Sequence, residues 1–576
     1  MPSTNICVAL NTAQNKKAPL LLPDNAPLDP SAKESCYERV IKVAQSKLRL
    51  KKGNYRVFLG RSGNAVKKEA ILLVSLGEEY IGNRKHGNGH AEANASCSIQ
   101  TLFNTAPVDN TAITQLETTA RTLSGLIHAV GQPDLHPGTK FPIGAVFVSR
   151  GWIHPPLIGG DIGCGMSWYR TKLPRSSVDG DKGKKVAEKL RGLEGVWRSA
   201  EDRVNWLGAP ADGKCYSAGE EWDKSLGTIG AGNHFAEIQV VEDSTREELE
   251  PTIGMKRDQV VLLVHSGSRG YGQNIVRRYA SDTDPSLQED DPKAKEYLRE
   301  HDNACERAKA NRDLIALRFL AILEPGEEAW EPGVNATDTD KPSLSGDALV
   351  LARAQLNERK VVDIWHNNIE RIKWPPAPPY ESTTVASLSS TLSSVSLKNQ
   401  EEAETDKLQP QAPQEQYHVY IHCKGAAPTY DPQTATPLSL LPLPGSRATP
   451  TLIIRPSFSD STAWGAKNAL SLAHGAGRSM SRAKALQSLG SKYPDPTALL
   501  EPTAASRQER KKGEGGEDVN GGTWVICDEK SLVWEEAREA YKDVYDVFRD
   551  LKEEGVAECV GWCRARVSYK VRDEGR

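Results

Sequence analysis

The sequence is short of the features that mark a membrane or secreted protein. No apolar run approaches the ~18 residues that a membrane-crossing helix needs. The opening stretch, MPSTNICVALNTAQ, has no basic segment leading into an apolar one, so no secretory signal is expected and a cytoplasmic and/or nuclear setting is. The ten cysteines are scattered with no CxxC pair, which argues against a disulfide framework and against a zinc ribbon. There is no excess of positive charge either, since the net charge is −3; a polyanion could be held only by a local basic patch. No internal repeat is found. What remains is a chain of 576 residues, 38% hydrophobic and 26% charged, long enough for a large core and polar enough for a globular enzyme carrying long loops.

Periodicity gives a mixed architecture. Residues 35–50 carry apolar side chains at helical spacing, and 112–130, 464–488 and 535–553 read as further helices. YRVFLG (55–60), AILLVSL (70–76), VVLLV (260–264), QYHVYI (416–421), TLIIR (451–455) and TWVI (523–526) read as strands. The Gly- and Pro-rich stretch 131–170, interrupted by short β-like pieces such as AVFVS (145–149), reads as loops lying over a scaffold. Segments near 281–298, 324–346, 373–415 and 501–522 read as inserted low-complexity or flexible pieces. Helices and strands mix without a regular βαβ alternation, so the fold class is α+β, or irregular α/β.

Chemistry is concentrated around a few of the 12 histidines. In GGDIGCGM, Asp161 and Cys164 lie three apart in a glycine-flanked turn, where a carboxylate and a thiolate can reach one divalent ion. LGTIGAGNHFAEI sets Asn233 and His234 after a glycine-rich stretch. HSGSRGYG starts with His265 at a strand end and continues in a loop whose backbone N–H groups could meet a phosphate. IWHNN places His366 and Asn367 on an expected helix. In SLAHGAGRSMSR, small residues next to His474 admit a bulky group to the imidazole, and Arg478 and Arg482 could neutralise phosphate oxygens. Each motif alone also fits an ordinary turn, a buried thiol or a core histidine. Together, Asp161, Cys164, His234, His265 and His366 give O, S and N donors suited to Mn²⁺, Zn²⁺ or Co²⁺, and five ligands fit two ions sharing a thiolate better than one closed zinc site.

These residues resemble the RtcB family of RNA ligases. The resemblance is carried by PDLH (133–136), FPIGAV (141–146), GGDIGCGM (159–166), GNHFAEI (232–238), HSGSRG (265–270), HN (366–367), KGA (424–426), HGAGRSMSR (474–482) and AYKDVYDV (540–547), in that order from about residue 120 to 570. It implies a single catalytic domain over 35–570 with inserted loops, after a variable segment 1–34 and before a tail 571–576. It implies joining of RNA 3′-phosphate or 2′,3′-cyclic phosphate ends to 5′-hydroxyl ends with GTP and Mn²⁺, two ions being expected. Asp161, Cys164, His234, His265 and His366 would be the metal ligands, and His474 would be guanylylated with Asp134 beside it at the catalytic centre. Asn233, His234, Asn367, Ser457, Gly475, Ala476, Gly477, Arg478 and Lys570 would line the nucleotide together with His474.

RNA is the partner implied, and family members often work with archease or a helicase-containing complex. Arg269, Arg277, Arg278, Arg478, Arg482, Arg564, Arg566 and Lys570 supply local positive charge in or beside the motifs. The sequence departs from the family where PGSMG becomes RPSFSD (455–460), and at Lys140, Cys423 and Val571. Two other readings share the same residues: a metal-dependent phosphodiesterase or phosphatase acting on RNA ends, and a non-catalytic RNA-binding scaffold.

Overall fold

The structure, a computed structural model, describes residues 3–10, 13–23, 36–50, 56–59, 71–75, 96–193, 195–208, 214–244, 254–280, 285–334, 344–377, 416–431, 436–447, 449–502 and 522–571. The chain divides into two compact units, Met1–Ala91 and Glu92–Arg576. In the first, strands Ser3–Leu10, Ala13–Pro23, Ile71–Ser75 and Arg56–Leu59 form a four-stranded sheet. Val40, Ile41 and Ala44 of helix Tyr37–Leu48 share a core with Val8, Leu22, Leu72 and Val74. A domain start at residue 35 would cut this core. The strands 3–10 and 13–23 and the helix after them belong to one unit, and the unit bearing the histidine motifs begins at Glu92.

The second unit is built on two sheets. An eight-stranded sheet runs in the order Lys360–Trp365, Gly165–Pro174, Gln259–Ser266, Phe235–Ser244, Ala557–Lys570, Thr451–Pro456, Leu441–Pro444, with Trp524–Cys527 also paired to Ala557–Lys570. A five-stranded sheet runs Asn367–Trp374, Tyr417–Lys424, Ile143–Ser149, Leu126–His136, Ser98–Thr101. Residues 260–264 of strand Gln259–Ser266 are all apolar because both faces of the strand are covered. Alternate side chains point opposite ways, so Val260, Leu262 and Val264 join one core cluster while Val261 and Leu263 join another. The first cluster includes Leu314, Ile315 and Leu317 of the 32-residue helix Pro292–Leu323. That helix starts at a capping Asp291, whose carboxylate accepts from Lys293 N, with Pro292 where no intrahelical N–H is required.

The α+β class stands, with both helices and mixed sheets present. Several local expectations do not. Helix 112–130 is a helix only over Asn110–Thr122; residues Leu126–His136 are a strand, and 131–170 contains most of three strands rather than loops. Backbone pairing overrides the Gly/Pro signal there, with the irregularity absorbed by a register shift between Gly131 and His136. His366 is not helical; it is the single residue between strands Lys360–Trp365 and Asn367–Trp374. Within 464–488, Ser471–Ala473 is a strand paired to Ala426–Pro428, and α-helix begins only at Arg482. The stretch 535–553 is broken between Lys530–Glu535, Arg538–Ala540 and Val544–Glu553.

The expected insertions are also smaller than their sequence ranges. Residues 292–298 are the first turns of the long helix, Trp330 is buried, and 373–374 close a strand. The remainder of those expectations, at 281–284, 335–343, 378–415 and 503–521, lies outside the described residues. No helix among the described residues is long and apolar enough to cross a membrane.

Candidate metal centre

Strand register gathers the ligands. Four adjacent antiparallel strands pair Trp365 with Gly165, Gly165 with Ser266, and His265 with Phe235. Strand direction alternates, so the residue before Gly165, the penultimate residue of Gln259–Ser266, the residue before Phe235 and the residue after Trp365 all fall at one end of the sheet. These are Cys164, His265, His234 and His366. All four are buried.

Cys164 Sγ lies 3.3 Å from Nε2 of His234, of His265 and of His366. His265 Nε2 and His366 Nε2 are 3.2 Å apart. Asp161 Oδ2 lies 2.8 Å from His234 Nε2, and among the described residues this buried oxygen has no partner of full hydrogen-bond geometry. The donor atoms of Cys164, His234 and His265 all lie within 4.8 Å of one another. Sulfur thus stands between two pairs, Asp161 with His234 and His265 with His366. Three imidazole nitrogens around one thiol, with a stranded buried carboxylate oxygen beside them, are a donor set that suits divalent transition ions.

The electrostatics agree. Burial, and then the neighbouring rings, push His265 and His366 well below the ordinary imidazole range, so both stay neutral with lone pairs available. Burial raises the Asp161 carboxyl, but the His234 ring and Arg269 outweigh it and hold it below its usual value. Burial and the Asp161 charge push the Cys164 thiol up, with Arg312 opposing. Without an ion the thiol keeps its proton; a bound cation reverses that balance.

The glycines next to these residues are required by space. A Cβ on Gly267 would meet the Asp161 carboxylate at 2.5 Å. Two N–H groups of the HSGSRG loop turn inward: Ser268 N donates to Ile162 O at 3.3 Å and Arg269 N to Asp161 Oδ1 at 2.8 Å. The loop is spent on orienting the carboxylate.

His474 stands beside the cluster, its ring centroid 4.7 Å from that of His366. It follows strand Ser471–Ala473 in a loop, and its Nδ1 lies 2.7 Å from Asp134 Oδ2, a fully buried carboxylate on strand Leu126–His136. With Asp134 accepting from Nδ1–H, the lone pair is left on Nε2. The loop is set by close backbone packing. Ala476 N donates to Pro444 O at 2.9 Å, and Gly477 has φ +69° against the Asp134 backbone, where any side chain would collide. Gly425, φ +65°, leaves room for the ring, since a Cβ there would fall 2.8 Å from His474 Cε1.

The other expected site residues divide. Asn367 is a brace: its Nδ2 donates to Asp161 O at 3.3 Å and its Oδ1 accepts from Gly425 N at 2.9 Å. Lys570 is buried, with Nζ 3.2 Å from His234 O and 3.4 Å from Glu536 Oε2. Arg478 is occupied by Glu536 Oε1 and Tyr541 Oη, both at 3.3 Å, and by Glu535 O at 2.8 Å. Gly475 is buried next to Pro444. Asn233 is half-buried just before His234, and Ser457 follows strand Thr451–Pro456 with its N–H on Val556 O at 2.9 Å. Among the described residues, neither of these two side chains hydrogen-bonds to the ligand set or to His474.

Two of the arginines expected to favour RNA are engaged elsewhere. Arg566 is buried between Asp179 and Glu242, and Arg278 pairs with Glu300. Residues that the sequence did not single out also shape the site. Buried Lys542 donates to Pro133 O at 2.9 Å and Leu135 O at 2.7 Å, fixing Asp134 from both sides, and its own N–H reaches Gly477 O at 3.0 Å. Burial brings its amine down to about 8. Glu536, Asn311, Arg312 and Asp363 are buried charged or polar groups facing the motifs from distant parts of the chain. Only AYKDVYDV, which contains Lys542, carried a sequence signal.

Comparison with known proteins follows the same motifs. The family model described as tRNA-splicing ligase RtcB matches residues 115–203, 193–331 and 397–571. The chain is 32% identical over 445 residues to RNA-splicing ligase RtcB2 of Escherichia coli, covering 77% of this chain and 88% of that protein. It is 25% identical over 486 residues to tRNA-splicing ligase RtcB of Methanococcus maripaludis, covering 75% and 85%. To the protein of the same name from Thermococcus kodakarensis it is 24% identical over 490 residues, covering 76% and 86%.

Proposed function

The chain belongs to the RtcB family, and on that premise we propose that it is an RNA ligase which joins 3′-phosphate or 2′,3′-cyclic phosphate ends to 5′-hydroxyl ends through a nucleotide carried on His474. The observation that supports this most is the pairing of His474 with Asp134 at 2.7 Å beside a thiol ringed by three imidazoles at 3.3 Å. A hydrolase acting on RNA ends has use for the cluster but none for a histidine oriented as a nucleophile.

Asp161, Cys164, His234, His265 and His366 would hold two Mn²⁺ ions. Such ions, when bound, neutralise phosphate charge and lower the pKa of an attacking oxygen. The chain's own groups do the rest. Asp134 holds Nδ1–H, so His474 presents its Nε2 lone pair and any positive charge that develops on the ring is stabilised. Nε2 attacks the α-phosphorus of GTP; a P–N bond forms and pyrophosphate leaves. An oxygen of the RNA 3′-phosphate, freed first by water where the end is cyclic, then attacks the same phosphorus and the P–N bond breaks, returning the ring to its neutral state. The 5′-hydroxyl next attacks the RNA phosphorus, losing its proton, and GMP departs. Asn233, Asn367, Ser457, Arg478, Lys570 and the backbone of Gly475–Gly477 are assigned to the nucleotide. For Arg478 this requires exchange of its bonds to Glu536 and Tyr541.

The test is direct. Incubation with α-labelled GTP and Mn²⁺ should give a covalent, acid-labile adduct that His474→Ala lacks, and the wild type should ligate a 3′-phosphate RNA to a 5′-hydroxyl RNA. Absence of an adduct with GTP or ATP, or an adduct retained by His474→Ala, would remove the reading.

A further inference from the structure

The ligand segments come from four separate parts of the chain, and one turn of the long helix touches each of them. Arg312, fully buried, donates from Nη1 to Gly163 O at 2.9 Å and to Ser266 O at 3.0 Å. Its Nε reaches Ser167 Oγ at 3.0 Å and Asp363 Oδ1 at 2.9 Å, and its Nη2 reaches Asp363 Oδ1 at 2.7 Å. Gly163 precedes Cys164, Ser266 follows His265, and Asp363 lies on the strand that ends before His366. The fourth segment is held by the neighbouring residue. Asn311 Oδ1 accepts from Gly227 N at 2.7 Å, and its Nδ2 donates to Ser266 Oγ at 3.2 Å and Gly267 O at 3.3 Å. Ser266 Oγ in turn donates to Ile229 O at 2.8 Å, the carbonyl that also accepts from His234 Nδ1 at 3.1 Å.

We propose that Asn311 and Arg312 are positioning residues that set the geometry of the metal centre by clamping all four ligand-bearing segments to one helix; this rests on the reading of Cys164 and its neighbours as metal ligands. The reason a clamp is needed is visible in the rings. A metal-binding imidazole is ordinarily aimed by a hydrogen bond to its other nitrogen. His234 has that bond, through the relay from Asn311. Among the described residues, His265 Nδ1 and His366 Nδ1 are buried with no partner, so these two rings are aimed by their backbones. Arg312 holds the first of those segments at Ser266 O and the second through the Asp363 carboxylate, three residues before His366. A planar fork with five N–H groups can serve four acceptors on three segments at once, which a lysine ammonium cannot. The helix also comes close enough that a Cβ on Gly163 would fall 2.8 Å from Cys305 Cα, so the contact leaves little play.

The experiment titrates the full-length protein with Co²⁺ alone and follows the thiolate-to-cobalt charge-transfer band and the d–d bands. Arg312→Lys should raise the Co²⁺ dissociation constant by about tenfold, and Arg312→Met and Asn311→Leu by up to about a hundredfold, the range seen when groups behind a metal ligand are removed. The d–d bands of Arg312→Lys should also change shape. Arg307→Met is the control. Arg307 is a buried arginine on the same helix that serves Asp223 at 2.5 Å and Trp222 O at 2.9 Å, and it bonds none of the groups that Asn311 and Arg312 hold. Its loss should lower the melting temperature without moving Co²⁺ affinity. Wild-type affinity and spectrum in Arg312→Lys and Asn311→Leu would overturn the proposal, as would equal weakening by Arg307→Met. A wild-type protein that binds Co²⁺ without a thiolate band would instead sink the metal-centre reading itself.

Discussion

The thiol–imidazole cluster and the His474 loop are neighbours held by different means. The cluster is fixed by strand register, and a helix grips it from behind. The loop has almost no regular pairing; it is fixed by glycines that press on the Asp134 strand, by one carboxylate–imidazole bond and by Lys542. Register is a cooperative property of many residues, whereas the loop depends on single contacts. Single substitutions should therefore separate the two, leaving the ion-binding side intact while the nucleophile fails.

Asp134→Asn should make that separation sharpest. The amide can no longer accept from Nδ1–H in the same way, so the wrong nitrogen is protonated, and the rate of covalent labelling by GTP should fall on the order of 10³- to 10⁴-fold, as for an Asp→Asn exchange behind other reacting histidines. Co²⁺ binding to the cluster, read by the thiolate band, should stay at the wild-type value; a joint loss would show that the two regions are one unit.

Gly477→Ala comes next. A methyl group there meets the Asp134 backbone in a positive-φ position, a strain of about 1–3 kcal/mol. Labelling should slow by roughly ten- to a hundredfold and thermal unfolding should shift down by a few degrees, again with cobalt affinity unchanged.

The smallest effect belongs to Lys542 and is a matter of pH. Its folded pKa of about 8 is below the unfolded value of about 10.4, so the unfolded chain binds more protons between those limits. Folding stability should accordingly rise with pH through that window, and the penalty for burying the charge is full below it. In Lys542→Met this contribution disappears, and denaturant midpoints measured from pH 7 to 10 should rise less steeply than in the wild type. An unchanged slope would place the titration elsewhere.

Much of the cluster was legible because its signals are local. DIGC, NHF and HSG each put a ligand type next to glycines, and the apolar run before His265 named its strand. The His474 region misled for a physical reason. Its alanines and leucines have high helix propensity, but Ser471–Ala473 pairs with Ala426–Pro428, some 45 residues away in sequence, and pairing wins. The strand Leu126–His136 was hidden by Gly131 and Pro133, which a bulged pairing tolerates. The clamp could not be seen at all. Asn311 and Arg312 sit in an ordinary polar stretch, KANRD, and their partners lie at 163, 227, 266 and 363. Only the fold brings a guanidinium to carbonyls so distant, and spacing holds no trace of it.

His366 is the sole residue between a strand of one sheet and a strand of the other. That makes chain length on its two sides unequal in importance. One amino acid gained or lost in the strands around it would swap the sides on which alternate groups emerge and turn the ring away from the sulfur. Past Trp374, whose partner across the ladder is Tyr417, 42 residues of sequence separate the two. Length added between those two paired residues leaves the ring in place; length added beside His366 does not.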